Sequence, residues 1–318
     1  MKRSLASPVL TRAHIPPVRP DLCDVTSVFN PGAVRVEGRE LLLLRVQTRG
    51  RETVLMPAER TPERRFEVWH HVVQIQGLDQ LGLTIHHVYD PRLTLLEGVV
   101  YAIVALDLDD GCRLALARTH DFKDYTLVSA DTEGDRRNGV LFPERVGGRY
   151  LRLERPNLVT PPGGATSGDE ILLAESEDLV TWNVVGPVMA GRPHYWDELI
   201  GSGPPPVKTH AGWLHVYHGV ALHLGTGIYQ AGAVLLDLQD PSRVLARTRQ
   251  NLLEPRREYE LVGQVPNVVF PTGLVVEEVD GQGFALPHSR VRIYYGAADT
   301  VVGLAVSTVT ELLDRCHE

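Results

Sequence analysis

Cysteine is scarce: Cys23, Cys112 and Cys316 are scattered over 318 residues. An odd, dispersed set supplies neither a disulfide framework nor a zinc-ligand spacing, and it fits a reducing compartment. Long apolar runs are missing as well. No stretch reaches the roughly 18 residues of a spanning helix. The opening "MKRSLASPVLTRAHIPP" has its short apolar segment broken by Pro8 and makes a poor secretory leader. The expectation is a soluble cytoplasmic protein with no membrane partner. Positive charge is not in excess either. A formal net charge of −8 excludes a general nucleic-acid binder, which needs Lys/Arg stripes along phosphate backbones, but leaves room for a local basic pocket. The histidines of "HAGWLHVYHGVALH" (His210, His215, His218 and His223) show no convergence with a carboxylate, so no metal is expected. "GSGPPP" from Gly201 lacks the Lys-Ser/Thr and helix of a phosphate loop.

Helical periodicity is nearly absent. Only "STVTELLDRCHE" starts like a helix, with Ser307 or Thr310 as its expected cap. Short runs rich in Val, Leu, Ile and Tyr, separated by Gly, Pro, Asp and Asn, predict strands and turns. The runs recur. A strand, a polar turn and a short strand appear from Thr53, Arg113, Ile171 and Gly232, with a degenerate copy from Val302, roughly 60–70 residues apart. A glycine-turn strand precedes each, and before that an entry segment such as "FNPGAVRV", "YDPRLTLL" or "VFPTGLVV". Four antiparallel strands repeated radially predict an all-β, five-bladed β-propeller. It is expected as a single domain over 1–318, with an N-terminal extension of about 1–25 and a short C-terminal tail.

In a propeller the first strand of each blade lines the central channel. Asp90 of "YDPR" then opens onto a shared funnel, with Asn30-Pro31 in the equivalent place and Pro91 suited to a strand entry. Arg45, Arg155, His218 and Asp299, near the ends of the second strands, are expected to converge there. Asn30, Arg45, Arg51 and Asp299 have the dense polar character that sugars require. Trp196 either stacks on a pyranose or packs between blades.

The pieces "FNPGA", "LLLLRVQTRGR", "YDPRLT", "RRNGVLFPERVGGRYLRLERP", "IGSGPPPVKTHAGWLHVYHGV" and "YYGAADT", spanning Phe29 to Thr300, resemble glycoside hydrolase family 130, the mannoside phosphorylases and mannosidases. The resemblance implies inverting cleavage of a β-mannoside. In the phosphorylases inorganic phosphate, a co-substrate and not a cofactor, attacks to give α-mannose 1-phosphate. It places the proton donor at Asp90, acting through a sugar hydroxyl, and phosphate at Arg137, Arg155, His218 and Tyr229, with Arg136 adjacent to Arg137. The blander reading makes Asp90 a turn carboxylate and pairs the arginines with Glu144 or Glu154. One position departs from the family: phosphorylases usually carry lysine where this chain has Leu199. That opens a second reading, an inverting β-mannosidase, with Glu198 or Glu144 as the base that activates water. A non-catalytic glycan-binding propeller is the third. The expected partners are a mannose-containing oligosaccharide and phosphate, and a homo-oligomer is compatible with all three readings.

Overall fold

The computed structural model describes residues 1–160, 166–223 and 226–318, apart from the side chain of His223. Five sheets stand in a ring. Strand β1 is Lys2–Arg3. The first blade runs outward through β2 (Ser27–Val36), β3 (Arg39–Gln47), β4 (Thr53–Arg60) and β5 (Phe66–Val68). The short β6 (Gln74–Gln76) precedes the second blade, made of β7 (His87–Leu96), β8 (Val99–Leu108), β9 (Gly111–Thr119) and β10 (Asp124–Ala130). The third blade is β11 (Arg136–Leu141), β12 (Tyr150–Pro156), β13 (Glu170–Ser176) and β14 (Asn183–Ala190). In the fourth, β15 (Leu199–Ser202) and β16 (Val207–Thr209) both pair with β17 (Gly212–His223), followed by β18 (Thr226–Leu236) and β19 (Val244–Arg247). The fifth contains β20 (Val269–Val276), β21 (Arg290–Ala297) and β22 (Val301–Thr308).

Three details differ from a uniform four-stranded repeat. The second and fourth sheets have five strands, and β6 joins β10 in parallel. The fifth blade takes its outer strand from the other end of the chain, with Lys2 opposite Val306 and Arg3 opposite Ala305. The first 25 residues are therefore integrated into the ring: Leu10 bridges to Val302, and Leu22 and Val25 are buried at the seam between the first and fifth blades. The degeneracy of the fifth repeat has the same cause, because β22 runs directly into helix α1 (Val309–His317), with no following strand among the described residues. That helix is capped by Thr308, whose hydroxyl accepts from the Glu311 amide at 3.1 Å, and not by Ser307 or Thr310.

The seams explain why the inner strands read as apolar runs and not as simple alternation. In β3, Leu42, Leu44 and Val46 pack toward the fifth blade with Tyr294 and Leu304. Leu41 and Leu43 point the other way, onto Val100, Ala102 and Val104 of the second blade. Side chains alternate with period two, and both faces are dry. Truncating a fully buried leucine such as Leu42 should cost about 2–5 kcal/mol. The inner strands themselves approach closely around the channel. A Cβ on Gly32 would lie 2.9 Å from the Pro91 carbonyl oxygen, so only glycine fits there.

Candidate active site

Four of the five inner strands break register at corresponding places: between Phe29 and Gly32, Tyr89 and Arg92, Arg137 and Val140, and Pro271 and Gly273. These are β-bulges, which re-aim side chains at the rims of barrels. The bulged residues Asn30, Asp90 and Asn138 have φ of 44°, 52° and 58°, a region that Asn and Asp tolerate better than most residues. All three line one cavity of about 670 Å³ at the mouth of the channel, together with Arg45, Arg137, Arg155, Tyr229 and Asp299.

One side of the cavity is carboxylate-rich. Asp90 Oδ1 accepts from Asn30 Nδ2 and Arg45 Nη1, each at 2.9 Å. Arg45 reaches it sandwiched between Phe29 and Tyr89, its guanidinium 4.5 and 4.7 Å from the two ring centres, a cation–π arrangement that fixes its direction. The buried Arg92 donates to the Asp90 carbonyl oxygen at 2.6 Å and to the Gly203 carbonyl oxygen of the fourth blade at 2.9 Å. Burial pushes the Asp90 carboxyl up, but Arg45, Arg92 and Asn30 together hold it below its ordinary value. Asp299, which follows β21, behaves oppositely. Burial raises it to about 6, with Arg45 opposing and Asp90 adding to the rise. Environments that push two carboxyls apart divide the labour between them. Of this pair, Asp299 is the one that takes up a proton first as pH falls toward 6.

The other side is cationic. Arg137 and Arg155 are directly opposite in the β11–β12 ladder, a placement of like charges that is unfavourable in a sheet. Neither forms an ion pair with a carboxylate among the described residues. Glu154 pairs with Arg136 and Arg152, and Glu144 with Lys208. Arg155 is buried, its Nε has no partner among the described residues, and burial with Arg137 beside it lowers its pKa to about 10. The Asn138 side-chain amide is likewise buried without an acceptor among the described residues. Tyr229 faces the same space as a phenol, its pKa raised by burial. His218 stands one layer behind, completely buried with its ring 4.5 Å from that of Phe270, which does line the cavity. Burial, and then Arg155 and Arg92, keep its imidazole neutral. Leu199, Val220 and Leu222 form an apolar wall beside these groups.

Four proposed residues are not brought to the cavity: His218, expected at phosphate, lies behind Phe270, Glu144, a candidate base, is held by Lys208, and Glu198 and Arg51 lie elsewhere. Glu198 lines a separate cleft with Trp196 and Gln250, while its neighbour Leu199 faces the channel. Arg51 is exposed at the turn between β3 and β4. Trp196 is a packing residue: it stacks on Tyr217, with ring centres 5.7 Å apart, and donates its indole N–H to the Arg249 carbonyl oxygen at 2.9 Å. Sequence reasoning missed Asn138, Tyr89 and Asp107, all in the cavity lining. Asn138 was within reach, since "RRNG" puts it one residue beyond Arg137 at the bulge.

The family model described as beta-1,4-mannooligosaccharide phosphorylase matches residues 16–318. The 4-O-beta-D-mannosyl-D-glucose phosphorylase of Bacteroides fragilis is 32% identical over 97% of this chain and 83% of its own length. The 1,2-beta-oligomannan phosphorylase of a Thermoanaerobacter species is 32% identical over 70% of this chain and 69% of its own. The structure of the Listeria innocua beta-1,2-mannobiose phosphorylase in complex with beta-1,2-mannobiose superposes with a TM-score of 0.83 over 99% of both chains, at 24% identity.

Proposed function

Because the chain belongs to glycoside hydrolase family 130, we propose that it cleaves a β-mannoside by phosphorolysis, releasing α-mannose 1-phosphate. The observation that carries this reading is the facing pair Arg137 and Arg155, held without carboxylate partners at the wall of the cavity. Unpaired buried cations are expensive, and a phosphate dianion that accepts from both guanidinium forks offsets that cost. Tyr229 and the Asn138 amide add neutral donors.

The mannosyl ring sits over Asn30, Asp90, Arg45 and Asp299. A phosphate oxygen attacks the anomeric carbon from the face opposite the leaving group. The new C–O bond forms as the glycosidic bond breaks, so configuration inverts. The arginines hold the nucleophile in line, which removes much of the entropy cost of attack. The departing oxygen takes a proton from a sugar hydroxyl that Asp90 replenishes. Asp90 is depressed in the free protein, yet burial is the largest influence on it.

Leu199 favours a second reading, hydrolysis, because it places an apolar side chain where a further cation would aid phosphate. That reading has lost Glu198 as its base, leaving Asp107 or Asp299 in the cavity lining. The test is the cleavage rate of a β-mannoside against phosphate concentration, with the released sugar identified. A saturable rise with mannose 1-phosphate as product supports phosphorolysis. A flat line with free mannose overturns it.

A further inference from the structure

Resting on the assignment of Arg137 and Arg155 to phosphate, we propose that Asp135, with Cys112 and Asn157 as its two arms, is a positioning network that aims both guanidinium groups at one anion. Asp135 Oδ1 accepts from the Cys112 backbone N–H at 2.9 Å and from Asn157 Nδ2 at 2.6 Å. The first arm continues to Arg137, whose Nε donates to Cys112 Sγ at 3.0 Å. The second continues to Arg155, whose Nη2 donates to Asn157 Oδ1 at 2.6 Å. The thiol is also tied down: the Tyr89 hydroxyl lies 3.1 Å from Sγ, and Asp107 Oδ1 lies 3.5 Å away as an acceptor. The backbone prepares the hub as well. The Asn157 N–H donates to the Asp135 carbonyl oxygen at 2.9 Å. A Cβ on Gly111 would come within 2.8 Å of Asp135 Cγ, so the carboxylate rests against bare backbone.

The chemistry of the arms explains their composition. A carboxylate bonded directly to either arginine would occupy its fork and compete with phosphate. Here a single carboxylate is set one group away from each, through a neutral amide and a weakly accepting thiol. Each relay engages one N–H of a guanidinium that has five. The remaining donors stay available, and their direction is set before the anion arrives.

The test uses the full chain, inorganic phosphate and a β-mannoside that the wild type cleaves. Initial rates give KM for phosphate and for the mannoside separately, and phosphate-induced thermal stabilisation reports binding without turnover. Cys112→Ala and Asn157→Ala should each raise the phosphate KM about 10-fold, the loss of one hydrogen bond to a charged group, while the mannoside KM holds. Cys112→Ser, which restores an acceptor for Arg137, should recover most of that loss. Asp135→Asn keeps both acceptor contacts and removes the charge, so it should weaken phosphate less than either arm deletion. Unchanged phosphate KM in Cys112→Ala and Asn157→Ala, alongside its loss in Arg137→Ala, overturns the network and leaves the phosphate assignment standing. Equal rises in both KM values, or no rescue by serine, assign the residues a merely structural role and overturn it too. A wild type that neither binds phosphate nor responds to it overturns both.

Discussion

Asp299→Asn isolates the cost of holding a carboxylate in this cavity. Asp299 sits at φ 49°, where asparagine is well tolerated, so the substitution changes charge with little change of backbone. Its pKa rises from an ordinary 3.8 to about 6 on folding, from burial first and then Asp90, against Arg45. A folded pKa above the unfolded one means that the protonated form is the one folding favours. That stability is complete below about pH 4 and is lost as pH rises through about 6. At pH 7.5 the ionised side chain therefore costs about 2 pKa units at about 1.4 kcal/mol each, or about 3 kcal/mol. For a chain of 318 residues, an unfolding entropy of about 2 cal/mol/K per residue converts this to a gain of about 5 °C in Tm for the variant. Thermal melts of wild type and Asp299→Asn at pH 7.5 and pH 4 measure it as a difference. The gap should be present at pH 7.5 and close at pH 4. A gap independent of pH, or a less stable variant at pH 7.5, refutes the reasoning. The variant should also cleave poorly, since a residue kept at a cost to stability is kept for what it binds.

Asp90→Asn should fold normally and slow cleavage of a mannoside with a poor leaving group by on the order of 10²–10⁴-fold, with a smaller loss on an aryl mannoside; near wild-type turnover on the poor leaving group removes Asp90 from the proton path. Arg137→Ala should nearly abolish phosphate-dependent cleavage, measured as mannose 1-phosphate formed, and retained phosphate saturation contradicts the anion site. Leu199→Lys should lower the phosphate KM by adding a cation beside Arg155, and steady-state kinetics showing no change place phosphate away from that wall.

The architecture was legible because its signal is periodic. Entry segments with Asn-Pro, Asp-Pro or Phe-Pro recur at blade spacing, and the strands between them are apolar on both faces because each lies between two neighbours. Ring closure was not legible. Lys2 and Arg3 carry no strand pattern of their own, and their pairing with Val306 and Ala305 is a contact between chain ends that local periodicity does not encode. The fifth repeat lacks its last strand in sequence, and that gap was the available sign that another segment had to fill it.

Within the site, the ambiguity between Arg136 and Arg137 traces to one physical fact, that successive side chains on a strand point to opposite faces. Arg136 and Arg137 are adjacent in the regular part of the ladder, before the bulge that lets Arg137 and Asn138 both line the cavity, so they point to opposite faces. Arg137 faces the cavity, and Arg136 turns back to pair with Glu154 at 2.9 Å. Glu198 and Leu199 pose the same alternative. Because Leu199 takes the channel side at the start of β15, with Val220 opposite it in the ladder, Glu198 is sent to the outer cleft. The network behind the arginines was partly within reach by the same logic. Asp135 and Asn157 lie just beyond the same end of the β11–β12 pair, one before β11 and one after β12, and the register sets Arg136 against Pro156 and Arg137 against Arg155, so fixing that register brings them together. Cys112 comes from the neighbouring blade, and only the packing of one sheet on the next delivers its thiol to Arg137. Residues that share a strand pair are recoverable from pattern and register, whereas residues that meet across a seam between blades depend on the rotation of one blade against another, which no local pattern in the chain records.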